Sequence, residues 1–219
     1  MIKAVIFDFG GVLCFHPTHQ QIESAAKACG LPADDFLRIF WSKRLPYDSG
    51  LTSPEDYWRD VGLATGREVD DPVWIADMIR REIDFWSHYD PRVIEWVDEL
   101  RGKGWLTGIL SNLPPPIGDY LRGQRTLLEH FDHITFSYEL KLVKPDAAIY
   151  QDMIQGLGIA PKEGLFFDDR AENVEGARAV GLEAELYVSW QKMVESLPVR
   201  YGLPIPTAQP SPQSTERPL

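Results

Sequence analysis

From residue 91 onward the chain alternates short apolar runs with segments of helical periodicity, and that alternation restricts it to one class of architecture. Helix-patterned stretches at 91–103, 117–128, 147–157 and 173–180 separate strand-like runs at 106–110, 133–136, 165–167 and 183–187. A strand that returns to its own sheet through a helix must run parallel to its predecessor, with helices covering both faces. The apolar run 3–7 adds one more buried strand at the start. The expected fold is therefore α/β, a doubly wound parallel sheet. Between residues 16 and 88 the pattern is helical throughout, with apolar residues at three- and four-residue spacing over 21–29, 34–43, 53–61 and 72–86. Ser53-Pro54-Glu55-Asp56 is a helix start: a capping hydroxyl, proline at the first position and acids in the first turn. This helical block is an insertion after the first strand and stands over the strand ends. Pro198 opens a stretch containing Pro204, Pro206, Pro210, Pro212 and Pro218. Proline at that density blocks helix and interior strand, so 198–219 is expected to be a tail, disordered or laid along the surface.

With 219 residues and 44% hydrophobic content, the chain can bury one core and a smaller satellite lobe. A net charge of -11 argues against nucleic acid as a partner, since phosphate backbones are held by basic surfaces. A small anionic substrate remains compatible, because local cations outweigh the global field. The 2 cysteines, Cys14 and Cys29, form no disulfide framework and no zinc spacing. No apolar stretch reaches membrane-spanning length, and Met-Ile-Lys leads directly into a strand. A soluble, cytoplasmic protein with reduced thiols and no membrane partner is expected; its oligomeric state is left open.

Chemistry-bearing residues collect where the apolar runs stop. Asp8 ends Val5-Ile6-Phe7 and precedes Phe9-Gly10-Gly11-Val12-Leu13, a glycine-rich turn. Ser111-Asn112 ends 106–110. Lys144 precedes Pro145, placed to open the helix that follows. Asp168-Asp169 ends Leu165-Phe166-Phe167, and adjacent carboxylates at a strand end are costly without a cation. The carboxyl ends of parallel strands are where such a sheet exposes a site.

The ordered set Phe7-Asp8-Phe9-Gly10-Gly11-Val12-Leu13, Leu110-Ser111-Asn112, Lys144-Pro145-Asp146 and Phe167-Asp168-Asp169-Arg170-Ala171-Glu172-Asn173 resembles the haloacid dehalogenase-like hydrolase superfamily, over residues 1 to about 190. The likeness is to its branch of sugar-phosphate phosphatases and the N-terminal domains of epoxide hydrolases. The resemblance implies a Rossmann-like core of 1–15 and 89–197 and a helical cap of 16–88. It implies an aspartyl-phosphate route, with Asp8 as nucleophile and Ser111 and Lys144 completing the catalytic set. Gly11, Ser111, Asn112 and Lys144 would hold the substrate, a small phosphorylated metabolite. Mg2+ would be held by Asp8, the Gly10 carbonyl and Asp168, with Asp169 beside them orienting a water or Lys144. Asn173 either braces that loop or begins the following helix. Trp41, Trp58, Trp74 and Trp86 are read as cap core, with one or two lining the pocket roof, and Arg44 and His16 as surface residues.

One departure from the family pattern matters. Phosphatases of this family carry a second Asp two residues after the nucleophile, which protonates the leaving oxygen; here Gly10 stands there. General acid catalysis is worth roughly 10²–10⁴-fold, a barrier difference of about 3–5 kcal/mol. A good leaving group suffers least, which points to an anomeric sugar phosphate, an acyl phosphate or an aryl phosphate. Two alternatives stay open: a metal-independent 2-haloacid dehalogenase, which also lacks that Asp, and a binding or regulatory protein that keeps the fold without turnover.

Overall fold

The computed structural model describes residues 1–66 and 71–207. Its centre is β1 (Ala4–Phe7), the middle strand of a five-stranded parallel sheet. The other strands are β2 (Leu106–Ser111), β3 (His133–Phe136), β4 (Gly164–Asp168) and β5 (Glu183–Leu186), and the order across the sheet is β3-β2-β1-β4-β5. Alternation within β1 divides the core: Val5 and Phe7 belong to one apolar cluster, Ala4 and Ile6 to another. The first is covered by α6 (Pro91–Gly102) and α12 (Trp190–Tyr201), with Trp96 edge-on to Phe7, Phe167 and Trp190. The second is covered by α10 (Ala147–Leu157) and α11 (Ala171–Ala179) through Tyr150, Met153, Val174 and Ala177. Both faces are buried, as a parallel sheet requires. The expected α/β doubly wound class is what the chain adopts.

Register decides what stands next to what at the open edge. Phe7 lies opposite Ile109 on one side and Phe167 on the other. One residue further along, Asp8 and Asp168 emerge side by side, and the Asp8 amide donates to the Phe167 carbonyl at 2.8 Å. Strands β2 and β4 flank β1 on opposite sides, so this edge is the topological switch point of the sheet.

Between β1 and α6 come α1 (His19–Cys29), α2 (Ala33–Ser42), α3 (Arg44–Asp48), α4 (Pro54–Ala64) and α5 (Pro72–Phe85). Thr18 and Gln21 form a reciprocal cap on α1, and Ser53 accepts from the Asp56 amide at the start of α4, where the sequence places it. Chain entry and exit run together: the Phe15 amide donates to the His88 carbonyl at 2.9 Å and the Asp90 amide to the Leu13 carbonyl at 2.9 Å. Further contacts tie residues 48–50 to the sheet unit, with Ser137 Oγ donating to the Asp48 carbonyl and Lys141 Nζ to the Gly50 carbonyl at 2.7 Å.

Arg44 is not a surface residue. It is 6% exposed, paired with Glu82 and with Asp48 at 2.9 Å, and lies over the rings of Phe40 and Tyr47. Glu82 is fully buried and also accepts from Tyr47 Oη at 2.9 Å and Trp58 Nε1 at 3.2 Å, joining α3, α4 and α5. Asp48 lies one helical turn from Arg44, but the fully buried partner that draws it inside, Glu82, is 38 residues away, and periodicity gives no sign of it.

Other expectations shift. The stretch 117–128 is two helices, α7 (Pro115–Gly123) and α8 (Arg125–Leu128), broken where Gln124 leaves helical geometry at ψ 65. A further turn of helix, α9 (Ser137–Leu140), follows β3. Pro145 precedes Asp146, the N-cap of α10, rather than lying in its first turn. The expected tail does not begin at Pro198, which lies within α12. Leu203, Pro204 and Pro206 are buried, and the Pro204 carbonyl accepts from Trp96 Nε1 at 2.9 Å. Pro210, Pro212 and Pro218 lie outside the described residues. Among the described residues no helix is long and apolar enough to cross a membrane.

The Glu82 network generates a stability prediction. Glu82→Ala leaves Arg44 buried with Asp48 alone and strips the acceptor from Tyr47 and Trp58, a loss of about 3–5 kcal/mol. Chemical denaturation reads this directly, and a variant within about 1 kcal/mol of the parent contradicts it.

Candidate active site

Lys144 organises the open edge. The residue is 2% exposed, and its ammonium has three N–H donors. Asp8 Oδ1 receives one at 2.9 Å, Asp168 Oδ2 another at 2.6 Å, and the Leu110 carbonyl the third at 2.9 Å. One cation thereby ties together the ends of β1, β2 and β4. The loop that carries it is fixed by Asn112, whose side-chain Nδ2 donates to the Lys144 carbonyl at 3.0 Å while its Oδ1 accepts from the Lys144 amide at 2.8 Å. The Asn112 side chain is thereby spent on this backbone.

Asp168 is fully buried and accepts from the Arg170 amide at 2.8 Å and from Asn173 Nδ2 at 3.0 and 3.1 Å. Asn173 thus braces the loop from within the first turn of α11, a helix that begins at Ala171 with Arg170 as its N-cap and not at Asn173. The Asn173 carbonyl in turn accepts from Tyr150 Oη at 2.8 Å. The two bonds that hold Asp8, from the Phe9 amide at 2.7 Å and from Lys144, both engage Oδ1, which leaves Oδ2 for chemistry. Burial, with Asp168 and Asp169 adding to it, pushes the Asp8 carboxyl up to about 7 against the pull of Lys144. For Lys144, burial works against the charge, and Asp168 and Asp8 outweigh it and hold the ammonium above its ordinary value.

Asp169 is not turned to Lys144. It faces His16, with Nε2 of the imidazole 3.2 Å from Oδ2. His16, read as a surface residue, therefore belongs to this edge and packs edge-on against Trp86 at 6.2 Å. Both lie close to the glycine turn. Gly11 has φ 76, and a Cβ there would meet Asp169 Oδ2 at 2.6 Å and His16 Nε2 at 2.7 Å, so glycine is required twice over. Of the four tryptophans, Trp58 and Trp74 are core, Trp41 is 47% exposed, and Trp86 is the one at the site. Nothing in the helical periodicity of 72–86 separates Trp86 from Trp74. Ser111 ends β2 with 2% exposure, beside the Asp8 turn.

Asp8, Asp168 and Asp169 each offer one oxygen, and these oxygens lie within 4.8 Å of one another. Three carboxylates share the edge with one lysine, so the edge carries excess negative charge, and its donors are hard oxygens. That donor set fits Mg2+, a small cation that takes one or two carboxylates and keeps waters. The fit has a pH signature. A carboxyl whose folded pKa is raised binds more protons in the folded than in the unfolded state between pH 4 and 7, so its share of stability falls as pH rises through that window. For the same reason Mg2+ binding near pH 7 must expel roughly half a proton per site, more at pH 6 and little above pH 8. Calorimetry in buffers of different ionisation enthalpy checks this, and release that grows with pH, or persists in Asp8→Asn, contradicts it.

Comparison with known proteins follows from this geometry. The family model for haloacid dehalogenase-like hydrolases matches residues 2–181. The chain is 25% identical to D-ribitol-5-phosphate phosphatase of Bacteroides thetaiotaomicron, covering 84% of this chain and 90% of that protein. It is 28% identical to a sesquiterpene phosphatase of Aspergillus oryzae, covering 82% and 87%. Its fold is similar to that of a haloacid dehalogenase family enzyme from B. thetaiotaomicron solved with magnesium and inorganic phosphate, with TM-score 0.71, 22% identity and coverage of 88% and 99%.

Proposed function

The chain belongs to the haloacid dehalogenase-like hydrolase family and is an enzyme of its phosphatase type; from that premise we propose a magnesium-dependent phosphomonoester hydrolase acting on a small phosphorylated metabolite through an aspartyl-phosphate on Asp8. The observation that carries this reading is the Asp8–Lys144–Asp168 bridge with Asp169 close by, a constellation that holds one carboxylate by a single oxygen and surrounds it with oxygen donors. Mg2+, held by Asp8, Asp168 and the Gly10 carbonyl with Asp169 beside them, would supply the positive charge that phosphoryl oxygens need. A relative solved with magnesium and phosphate supports that choice of ion.

Each side chain then has work that its position suits. Asp8 Oδ2 attacks phosphorus while Oδ1 stays anchored by Lys144 and the Phe9 amide. Lys144 favours the ionised form of Asp8 against its burial. Ser111 and the main-chain amide of Asn112 donate to phosphoryl oxygens as charge spreads over them, while Gly11, whose own amide is bonded to the Cys14 carbonyl at 2.8 Å, shapes the turn that receives the substrate. Helices of 16–88 act as a cap that excludes water during attack and opens for exchange. With glycine at position 10 and no carboxyl there to protonate the departing oxygen, substrates with good leaving groups are favoured, a sugar 1-phosphate among them. The relatives named as sugar-alcohol-phosphate and sesquiterpene phosphatases support the phosphate chemistry.

The carboxylate trio argues against a metal-independent dehalogenase, which has no use for it. Retention of Asp8, Ser111, Lys144 and Asp168 together argues against a binding protein without turnover. Hydrolysis of sugar, acyl and aryl phosphates is expected with Mg2+, with loss of at least ~10³-fold on chelation and in Asp8→Asn. Turnover that survives chelator, or halide release from 2-haloacids, would defeat the proposal.

A further inference from the structure

Position 10 is empty of side chain for a reason visible in the packing. A Cβ built on Gly10 would lie 2.9 Å from Cζ3 of Trp86 and 3.5 Å from Cε3 and Cη2. The first of these is closer than two carbons approach in a folded protein, and the obstructing atom belongs to a rigid ring. Trp86 has no room to retreat. It is 8% exposed, it is the C-cap of α5, and its amide is tied to the Ile83 carbonyl at 3.1 Å. His16 packs on the same ring and is turned toward Asp169. The indole Nε1 is buried without a hydrogen-bond partner among the described residues, an unspent donor in the wall of the site.

We propose that Trp86 is the specificity-determining residue of this site: its indole keeps position 10 bare and walls the Asp8 turn, so that the enzyme takes only phosphate esters whose leaving group departs without a proton from that turn. This rests on the phosphatase reading and deepens it. As the Asp8 oxygen forms its bond to phosphorus, the bond to the leaving oxygen breaks and its electron pair departs on that oxygen. A phenolate, a carboxylate or an anomeric oxygen carries the pair readily and takes a proton from water afterwards. An alkoxide does not. The selectivity follows from an aromatic residue contributed by the helical insertion, which makes leaving-group choice a property of how α5 packs on the turn.

The test is a leaving-group series, from nitrophenyl to alkyl phosphates, measured with Mg2+ on the full chain and on Trp86→Phe, Trp86→Ala, Gly10→Asp and the double variant Gly10→Asp/Trp86→Ala. In the parent, kcat/KM falls by ~10²-fold or more across the series, the size of a missing general acid. Trp86→Phe keeps that fall, since the wall and not the N–H sets it. Gly10→Asp alone keeps it too, while the double variant shrinks it by ~10-fold or more. If Gly10→Asp alone flattens the series as far as the double variant does, or if the double variant leaves it unchanged, the proposal is overturned. A second measurement needs no activity: Gly10→Ala lowers Tm by roughly 2–10 °C in the parent and by little in Trp86→Ala. Equal shifts in the two backgrounds overturn the wall. Should no phosphate be cleaved by the parent, the phosphatase reading fails and the selectivity with it, and the Tm cycle then reports separately on the contact.

Discussion

The buried ammonium of Lys144 is the interaction on which the open edge of the sheet depends. Asp8 and Asp168 emerge side by side because β1 and β4 are paired in register, and without a cation between them their charges would repel in a poorly solvated place. Lys144 resolves this by donating to three acceptors, including the Leu110 carbonyl near the end of β2. A buried pair of this kind adds little net stability, since desolvation offsets the attraction. Its value lies in geometry. It fixes the nucleophilic carboxylate by one oxygen and leaves the other unencumbered.

That arrangement is supported from behind by groups with no chemistry of their own. Asn112 holds the backbone of Lys144 at both its N–H and its carbonyl, Asn173 bonds both oxygens of Asp168, and Tyr150 holds the carbonyl of Asn173. Gly176 belongs to the same layer, because a Cβ there would meet Pro145 Cβ at 2.7 Å and Tyr150 Oη at 2.9 Å. The site is thus built on strand ends and helix starts rather than on a free loop, which is how side chains are held to the tolerance that chemistry needs.

Much of this is written in local sequence. Short apolar runs ending in Asp8, Ser111 and Asp168 declare both the parallel sheet and its reactive edge, because strand ends in such a sheet carry the chemistry and the period of the pattern marks the strands. Arg44, His16 and Trp86 are illegible for a shared reason. Each takes its meaning from a partner distant in sequence, Glu82 for Arg44, Asp169 for His16 and Gly10 for Trp86. Asn112 resembles ordinary turn chemistry and is in fact a clamp on a segment 32 residues further along. The expected tail misled in a different way: proline density suppresses regular structure but does not prevent burial, and Leu203, Pro204 and Pro206 are buried, with Trp96 donating to the Pro204 carbonyl.

The paired strands of chain that enter and leave the helical insertion have a mechanical consequence. Leu13 and Phe15 are laced to Asp90 and His88 by backbone hydrogen bonds, and Cys14 bridges to Tyr89 between them. Two separate connections would let α1 to α5 twist and slide as well as swing. Laced together, they act as a single ribbon, stiff along its length and compliant only across it. Glu82 joins α3, α4 and α5, and residues 48–50 give the insertion a second attachment to the sheet unit through Ser137 and Lys141. Trp86 sits two residues from the ribbon, so the lacing that joins the insertion to the sheet also sets the indole over Gly10.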